Sequence, residues 1–314
     1  MRPLSLFLLA LPALFFAVSS PARAGGQEPG SLLVYPEYDN RPGQFSLLTI
    51  TNTNGDTQSG SIKVHFVFIN ATNCLETDLI FNLTPRDTVS FLSNVYTSAN
   101  QRGYAYGWAV DPLTGKSLDF DHLIGSLVRV DGVLAFDWSV QALSFQGRPG
   151  AGLDTDLDHD GQRDLDGFEY DKAPNKIYVP RFYGQYPEAV GRTAPLADLI
   201  LFRPLGPANS TTTTAFLVWN DNEEVYSASY SFTCWTRQRL LTIAGSFGQT
   251  FLAGTNDAPN EIIGMNTTES GWFQVKGQVA TAPGGQTTSN PPIFGVLVEQ
   301  RPQSAADLPF VEDL

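Results

Sequence analysis

IKVHFVFINATNC (residues 62–74) and VYSASYSFTC (225–234) decide the fold. In the first, Ile62, Val64, Phe66 and Phe68 alternate with Lys63, His65 and Val67. Successive side chains of a strand point to opposite faces, so these four share one face. In the second, Tyr226, Ala228, Tyr230 and Phe232 alternate with serines. Both patterns predict half-buried strands. Similar runs surround them: FSLLTIT (45–51), followed by the turn-like NTNGD, GYAYGWAV (103–110) and LIGSLVRV (123–130). Short β-branched and aromatic runs at regular spacing, separated by Asn, Gly, Asp and Pro, predict a sandwich or barrel.

The same plan is written twice. SLLTITNTN (46–54) aligns with TAFLVWNDN (214–222), and IKVHFVFINATNC with VYSASYSFTC. Cys74 falls on Cys234, Ile80-Phe81 on Leu240-Leu241 and Phe91-Leu92 on Phe251-Leu252. Further on, GYAYGWAV aligns with GWFQVKGQV (271–279) and LIGSLVRV with IFGVLVEQ (293–300). Self-similarity of this kind marks tandem duplication. The expected fold is therefore all-β: two tandem, distantly related antiparallel β-sandwich domains, 25–147 and 198–301. Between them lies an Asp-rich connector, 148–197, rich in Pro, Gly and Tyr after the acids. A polar tail, 302–314, follows. Cys74 and Cys234, the two cysteines of the chain, either form a disulfide stapling the halves together or are two buried thiols.

The first 24 residues, MRPLSLFLLALPALFFAVSSPARA, combine a basic start, an apolar run and the small-x-small end Ala22-Arg23-Ala24. That reads as a secretory signal peptide. It implies export, to the exterior or to a periplasm or cell surface, and no membrane span in the mature chain. An oxidising compartment favours the disulfide. The formal net charge is −13, and cleavage would remove two arginines and no acid. So acidic a chain argues against nucleic acid as a partner and favours cation binding.

The acids concentrate in LDTDLDHDGQRDLDGFEYDK (153–172), eight carboxylates in twenty positions. A solvated linker would tolerate them by disorder. Their spacing suggests a cation instead. Hard cations such as Ca²⁺ take six to eight oxygen ligands, often from alternate residues of a loop with glycine at its tightest turn. The pattern D-x-D-x-D-G-x-x-D, with Gly161 at the sixth place, resembles the first nine positions of an EF-hand-type calcium loop. Loops of this kind occur also in thrombospondin type 3 repeats. The resemblance covers about residues 154–169. It implies Asp156, Asp158, Asp160 and Asp164 as side-chain ligands, the Gln162 carbonyl as another, and calcium as the cofactor. The twelfth position, a bidentate glutamate in EF-hands, is Gly167 here. Asp166 and Glu169 are both within reach of that role.

A catalytic constellation is missing. His122 lies beside Asp119 and Asp121, yet no motif pairs it with a nucleophile. GxSxG, HExxH and GxxxxGK[ST] do not occur. Two readings follow. One is a secreted, non-catalytic calcium-binding β-sandwich protein with a structural, adhesive or surface-recognition role, its partner an extracellular or cell-surface protein. The other is a carbohydrate-binding protein or carbohydrate-active enzyme in which exposed rings, above all Trp235 and Trp272, stack on a glycan.

Overall fold

The computed structural model describes residues 28–133, 136–186, 196–220, 223–254, 269–301 and 304–307. The first 27 residues, which include the expected signal peptide, and the last seven lie outside them. The described chain is all-β, built of antiparallel sheets. The first half supplies β1 (Leu32–Asp39), β2 (Gln44–Asn52), β3 (Ile62–Asn70), β4 (Glu76–Leu83), β5 (Thr88–Leu92), β6 (Arg102–Val110), β7 (Leu123–Asp131), β8 (Phe136–Gln141) and β9 (Leu143–Phe145). The second supplies β10 (Lys176–Tyr183), β11 (Leu196–Phe202), β12 (Thr211–Trp219), β13 (Val225–Thr233), β14 (Trp235–Arg239), β15 (Ser270–Thr281), β16 (Thr287–Ser289), β17 (Phe294–Arg301) and β18 (Ser304–Asp307). One-turn helices α1 (Ser93–Tyr96) and α2 (Leu240–Ile243) follow β5 and β14, and α3 (Gln249–Leu252) comes after a further short turn.

The strand orders of the halves match. The first half pairs β4-β3-β6-β1-β9 and β5-β2-β7-β8, the second β13-β12-β15-β10 and β14-β11-β17-β18. Details of register match too. The β1–β6 pairing shifts between Tyr35 and Tyr38, the β10–β15 pairing between Val179 and Phe182. Pro36 and Pro180 sit in these irregularities, where a residue without an N–H does least harm to a ladder. Gly103 and Gly271 occupy equivalent places opposite Tyr38 and Phe182. A Cβ on Gly103 would stand 1.9 Å from the Ile69 carbonyl oxygen, and one on Gly271 2.4 Å from that of Trp219. Neither backbone oxygen can rotate away. Gly103→Ala and Gly271→Ala are each expected to lose about 1–3 kcal/mol, the usual cost of overpacking, readable in urea midpoints.

This correspondence corrects part of the sequence alignment. The partners of β6 and β7 are β15 and β17, as expected. The partner of β3 is β12, not β13, so Asn70 corresponds to Asn220. The partner of β4 is β13, with the same alternation of exposed and half-buried positions. Leu240-Leu241 and Phe251-Leu252 lie in α2 and α3 and match neither Ile80-Phe81 nor Phe91-Leu92. The cysteines are not equivalent either: Cys74 lies between β3 and β4, Cys234 between β13 and β14. Residues 176–183, expected to be irregular connector, form β10, and Ser304–Asp307 of the expected tail pairs with β17.

Two apolar clusters hold the sheets. In the second half, Leu199, Leu201, Phe216, Phe273, Val275 and Leu297 pack between its two sheets. The first cluster crosses the boundary. Tyr35, Leu48, Phe66 and Leu127 join Ile200, Phe202, Trp235, Phe294, Val296 and Val298. Alternation explains this. Leu199 and Leu201 of β11 face inward, whereas Ile200 and Phe202 face the first half. The outer face of the β1/β3/β6 sheet therefore packs on the outer face of the β11/β17 sheet. All eight residues of β1 are buried, as expected of a strand covered on both faces. Tyr104 stacks on Phe202 with centroids 4.9 Å apart, and Phe145 meets Phe294 edge-on at 5.6 Å. No helix among the described residues is long and apolar enough to cross a membrane.

A disulfide joins Cys74 to Cys234 across this boundary, with Cα atoms 5.9 Å apart. Charges cross it as well. Glu37, fully buried, accepts from Arg237 at 2.9 Å on Oε2, and Arg129 Nε stands 3.5 Å from the same oxygen. Arg129 also donates to buried Asp39 at 2.8 Å. Arg237 and Arg239 both hold Asp198 at 2.9 Å.

Candidate metal centre

Residues 147–173 fold back onto the first half instead of bridging freely to the second. Tyr170 anchors them: it is fully buried, its hydroxyl is 2.7 Å from Thr155 Oγ1, and it forms a β-bridge with Gly147. Main-chain hydrogen bonds run from Tyr170 N to the Asp164 carbonyl, from Gly167 N to that of Tyr170, and from Ala173 N to that of Leu165. Asp119 of the first half accepts from Gly150 N at 2.7 Å. The loop turns with positive φ at His159 (61°), Gly161 (78°) and Gly167 (96°). Glycine suits the latter two because it carries no Cβ. Arg163, nearly buried, lies over the Trp108 ring at 5.0 Å and hydrogen-bonds the Ser117 hydroxyl. An ordered, docked loop is not the solvated linker that like charges alone would give.

The docking brings three carboxylates together. Oxygens of Asp156, Asp158 and Glu169 lie within 4.8 Å of one another. Glu169 is buried and accepts from Leu157 N at 2.7 Å and Asp164 N at 3.0 Å. Those two bonds fix its carboxylate at the loop's centre. Burial, and then the charges of Asp164 and Asp156, push its pKa upward. Asp156 is gripped on one oxygen by Arg163 Nη2 at 3.6 Å. Its other oxygen, Oδ1, is buried without a hydrogen-bond partner among the described residues. A buried carboxylate oxygen without a donor is costly. A divalent cation between the three groups would satisfy it and reverse the sign of their repulsion.

The remaining expected ligands fall elsewhere. Asp160 accepts from Gln162 N, and Asp166 from Phe168 N and Glu169 N, all as local turns. Asp164 is exposed, and its main-chain N–H serves Glu169. Of the two acids within reach of the twelfth place, Glu169 stands with Asp156 and Asp158, while the carboxylates of Asp160, Asp164 and Asp166 lie outside that trio. The place of Glu169 is set by the burial of Tyr170 beside it, which loop spacing alone does not reveal.

The aromatic candidates separate. Trp235 is 4% exposed, its Nε1 donates to the Pro36 carbonyl at 2.7 Å, and Arg102 lies over its ring. It belongs to the contact between the halves, so the expectation that it meets a glycan is withdrawn. Trp272 is 37% exposed and stacks on Trp219, 3.9 Å away and nearly parallel. His122 makes an edge contact with Phe120, and its carbonyl accepts from the Thr53 hydroxyl at 2.9 Å.

No protein-family model, no curated protein and no solved structure matches the chain. What the site can do is argued from its own groups.

Proposed function

We propose that the chain is an exported, non-catalytic protein of two tandem β-sandwich domains, stabilised by calcium in its Asp-rich loop and serving a structural, adhesive or surface-recognition role. The observation that carries this reading is the convergence of Asp156, Asp158 and Glu169, one of which, Asp156, keeps a buried oxygen without a hydrogen-bond partner among the described residues. A disulfide suits an oxidising exterior, where calcium is plentiful. Three carboxylates without an EF-hand's bidentate glutamate suit the weaker range of extracellular sites, about 10⁻⁴–10⁻³ M. The loop packs on Ser117 and Trp108, so the ion stabilises the first half and the border with the second.

Thermal unfolding with calcium and with chelator tests this. A ligand binding only the folded state at ten times its dissociation constant adds about 1.4 kcal/mol. For a chain of this size that raises Tm by about 2 °C. Asp156→Asn and Asp158→Asn are expected to abolish the rise, whereas Asp160→Asn keeps it. An unchanged wild-type midpoint sinks the calcium reading. An Asp160 variant as insensitive as the other two would restore the wider ligand set implied by the loop's sequence.

A further inference from the structure

The contact between the halves joins unlike faces. The outer face of the β4-β3-β6-β1-β9 sheet meets the outer face of the β14-β11-β17-β18 sheet. Each chain thus ends in the repeat counterparts of these two faces. One is the outer face of β10-β15-β12-β13, and the other is the outer face of β5-β2-β7-β8. Both expose apolar side chains: Trp272 (37%), Leu217 (37%) and Val225 (53%) on the first, Phe45 (41%), Leu92 (37%) and Ile124 (41%) on the second. On the first face Val225 and Trp272 both pair with Trp219, and grouped exposure of this kind marks interaction surfaces; on the second, Phe45 and Ile124 stand towards opposite ends of the β2–β7 ladder. Trp272 stands at the position of Tyr104, which stacks on Phe202 inside the molecule. Ile124 stands at the position of Phe294, which that contact also buries. The Trp272 face carries Lys276 and the Ile124 face Asp137, opposite in sign.

We propose that copies of this chain associate head to tail, the Trp272 face of one seating on the Ile124 face of the next, in the manner of the internal contact. The occupant is a second copy because the molecule already shows which face each of these faces fits. Joining unlike faces leaves one of each kind free at the ends, so the assembly is an open chain unless its rotation closes a ring. The contact is weaker than the internal one. Thr49, Thr51 and Ser126 stand where the second half has Ile200, Phe202 and Val296, and a more polar interface of this kind is reversible.

Sedimentation velocity over a wide concentration range tests the proposal, with and without calcium. Wild type is expected to grow past the dimer as concentration rises. Trp272→Asp and Ile124→Asp, both at exposed positions, should each leave monomer only, with urea midpoints close to wild type. Mixed one to one, each variant keeps the face the other lost, so a dimer and nothing larger should form. A wild-type chain monomeric at all concentrations overturns the proposal, as does a mixture without dimer. A monomeric chain whose tryptophan fluorescence responds to an oligosaccharide would give the Trp272 face to a glycan instead. None of these outcomes depends on the calcium titration, so the two readings fail separately.

Discussion

Replacing both cysteines, Cys74→Ser with Cys234→Ser, is expected to remove about 5 kcal/mol of stability. The bond closes a loop of 160 residues. In the chain-entropy model, such a loop restricts the unfolded ensemble by that amount. The folded structure gives little back, because the contact between the halves rests on much else. Trp235, Phe202 and Phe294 are buried there, and the Glu37–Arg237 pair crosses it. The variant should therefore fold with the wild-type spectrum and unfold at a much lower urea concentration. Equilibrium unfolding of oxidised wild type and the double variant measures the difference. A loss below about 1 kcal/mol would mean that the unfolded chain is already compact at this closure.

The second large effect concerns Arg129. Its side chain is 2% exposed and lies between two fully buried carboxylates, Glu37 and Asp39. Arg129→Met keeps the bulk and removes the charge. Glu37 then depends on Arg237, and Asp39 on the more exposed Arg41 at 2.7 Å. Breaking a buried pair by removing one partner costs about 3–5 kcal/mol, because a charge stays buried with less compensation. Acid sensitivity should change with it. Burial opposes the ionised form of Asp39, but hydrogen bonds from Arg41 and the charges of Arg129 and Arg41 outweigh it and hold its pKa below the ordinary 3.8. A carboxylate with a depressed folded pKa stabilises fully above its ordinary value and loses that contribution as the pH falls through the lower one. Wild type should therefore lose stability below pH 3.8, and the variant should lose less over the same interval. Urea midpoints between neutral and acid pH give both results. A midpoint unchanged by the substitution would show that the pair costs as much to bury as it returns.

Much of the fold could be read in the chain because strand periodicity is local. The alternation of Ile62, Val64, Phe66 and Phe68 fixed the inner face of β3, and all four are buried. The kinship of GYAYGWAV with GWFQVKGQV and of LIGSLVRV with IFGVLVEQ survives as β6 with β15 and β7 with β17. The middle of the alignment slipped by one strand because it was anchored on the cysteines. A disulfide requires proximity, and equivalent position in a repeat does not follow from it. A better anchor was present in VYPEYD and YVPRFY, whose prolines mark the same irregularity in β1 and β10. The fate of Trp235 was not legible, since it depends on a second sheet covering the outer face of the first. The acidic loop was legible in its alternating acids. Which of them converge was not, because Glu169 is drawn in beside buried Tyr170.

The equivalent positions of the two halves also carry a charge reversal. Glu37 of β1 corresponds to Arg181 of β10, and Arg129 of β7 to Glu299 of β17. Arg181 and Glu299 are 3.0 Å apart. Tandem repeats risk exchanging strands as they fold, because each repeat offers the other a near-fitting edge. Here β1 inserted into the second sheet pair would set Glu37 against Glu299, and β10 in the first would set Arg181 against Arg129. Glu37 and Glu299 are both buried, and like charges brought together there would penalise the wrong pairing by several kcal/mol. The reversal would thus act against strand exchange, letting a chain written twice tell its two beginnings apart.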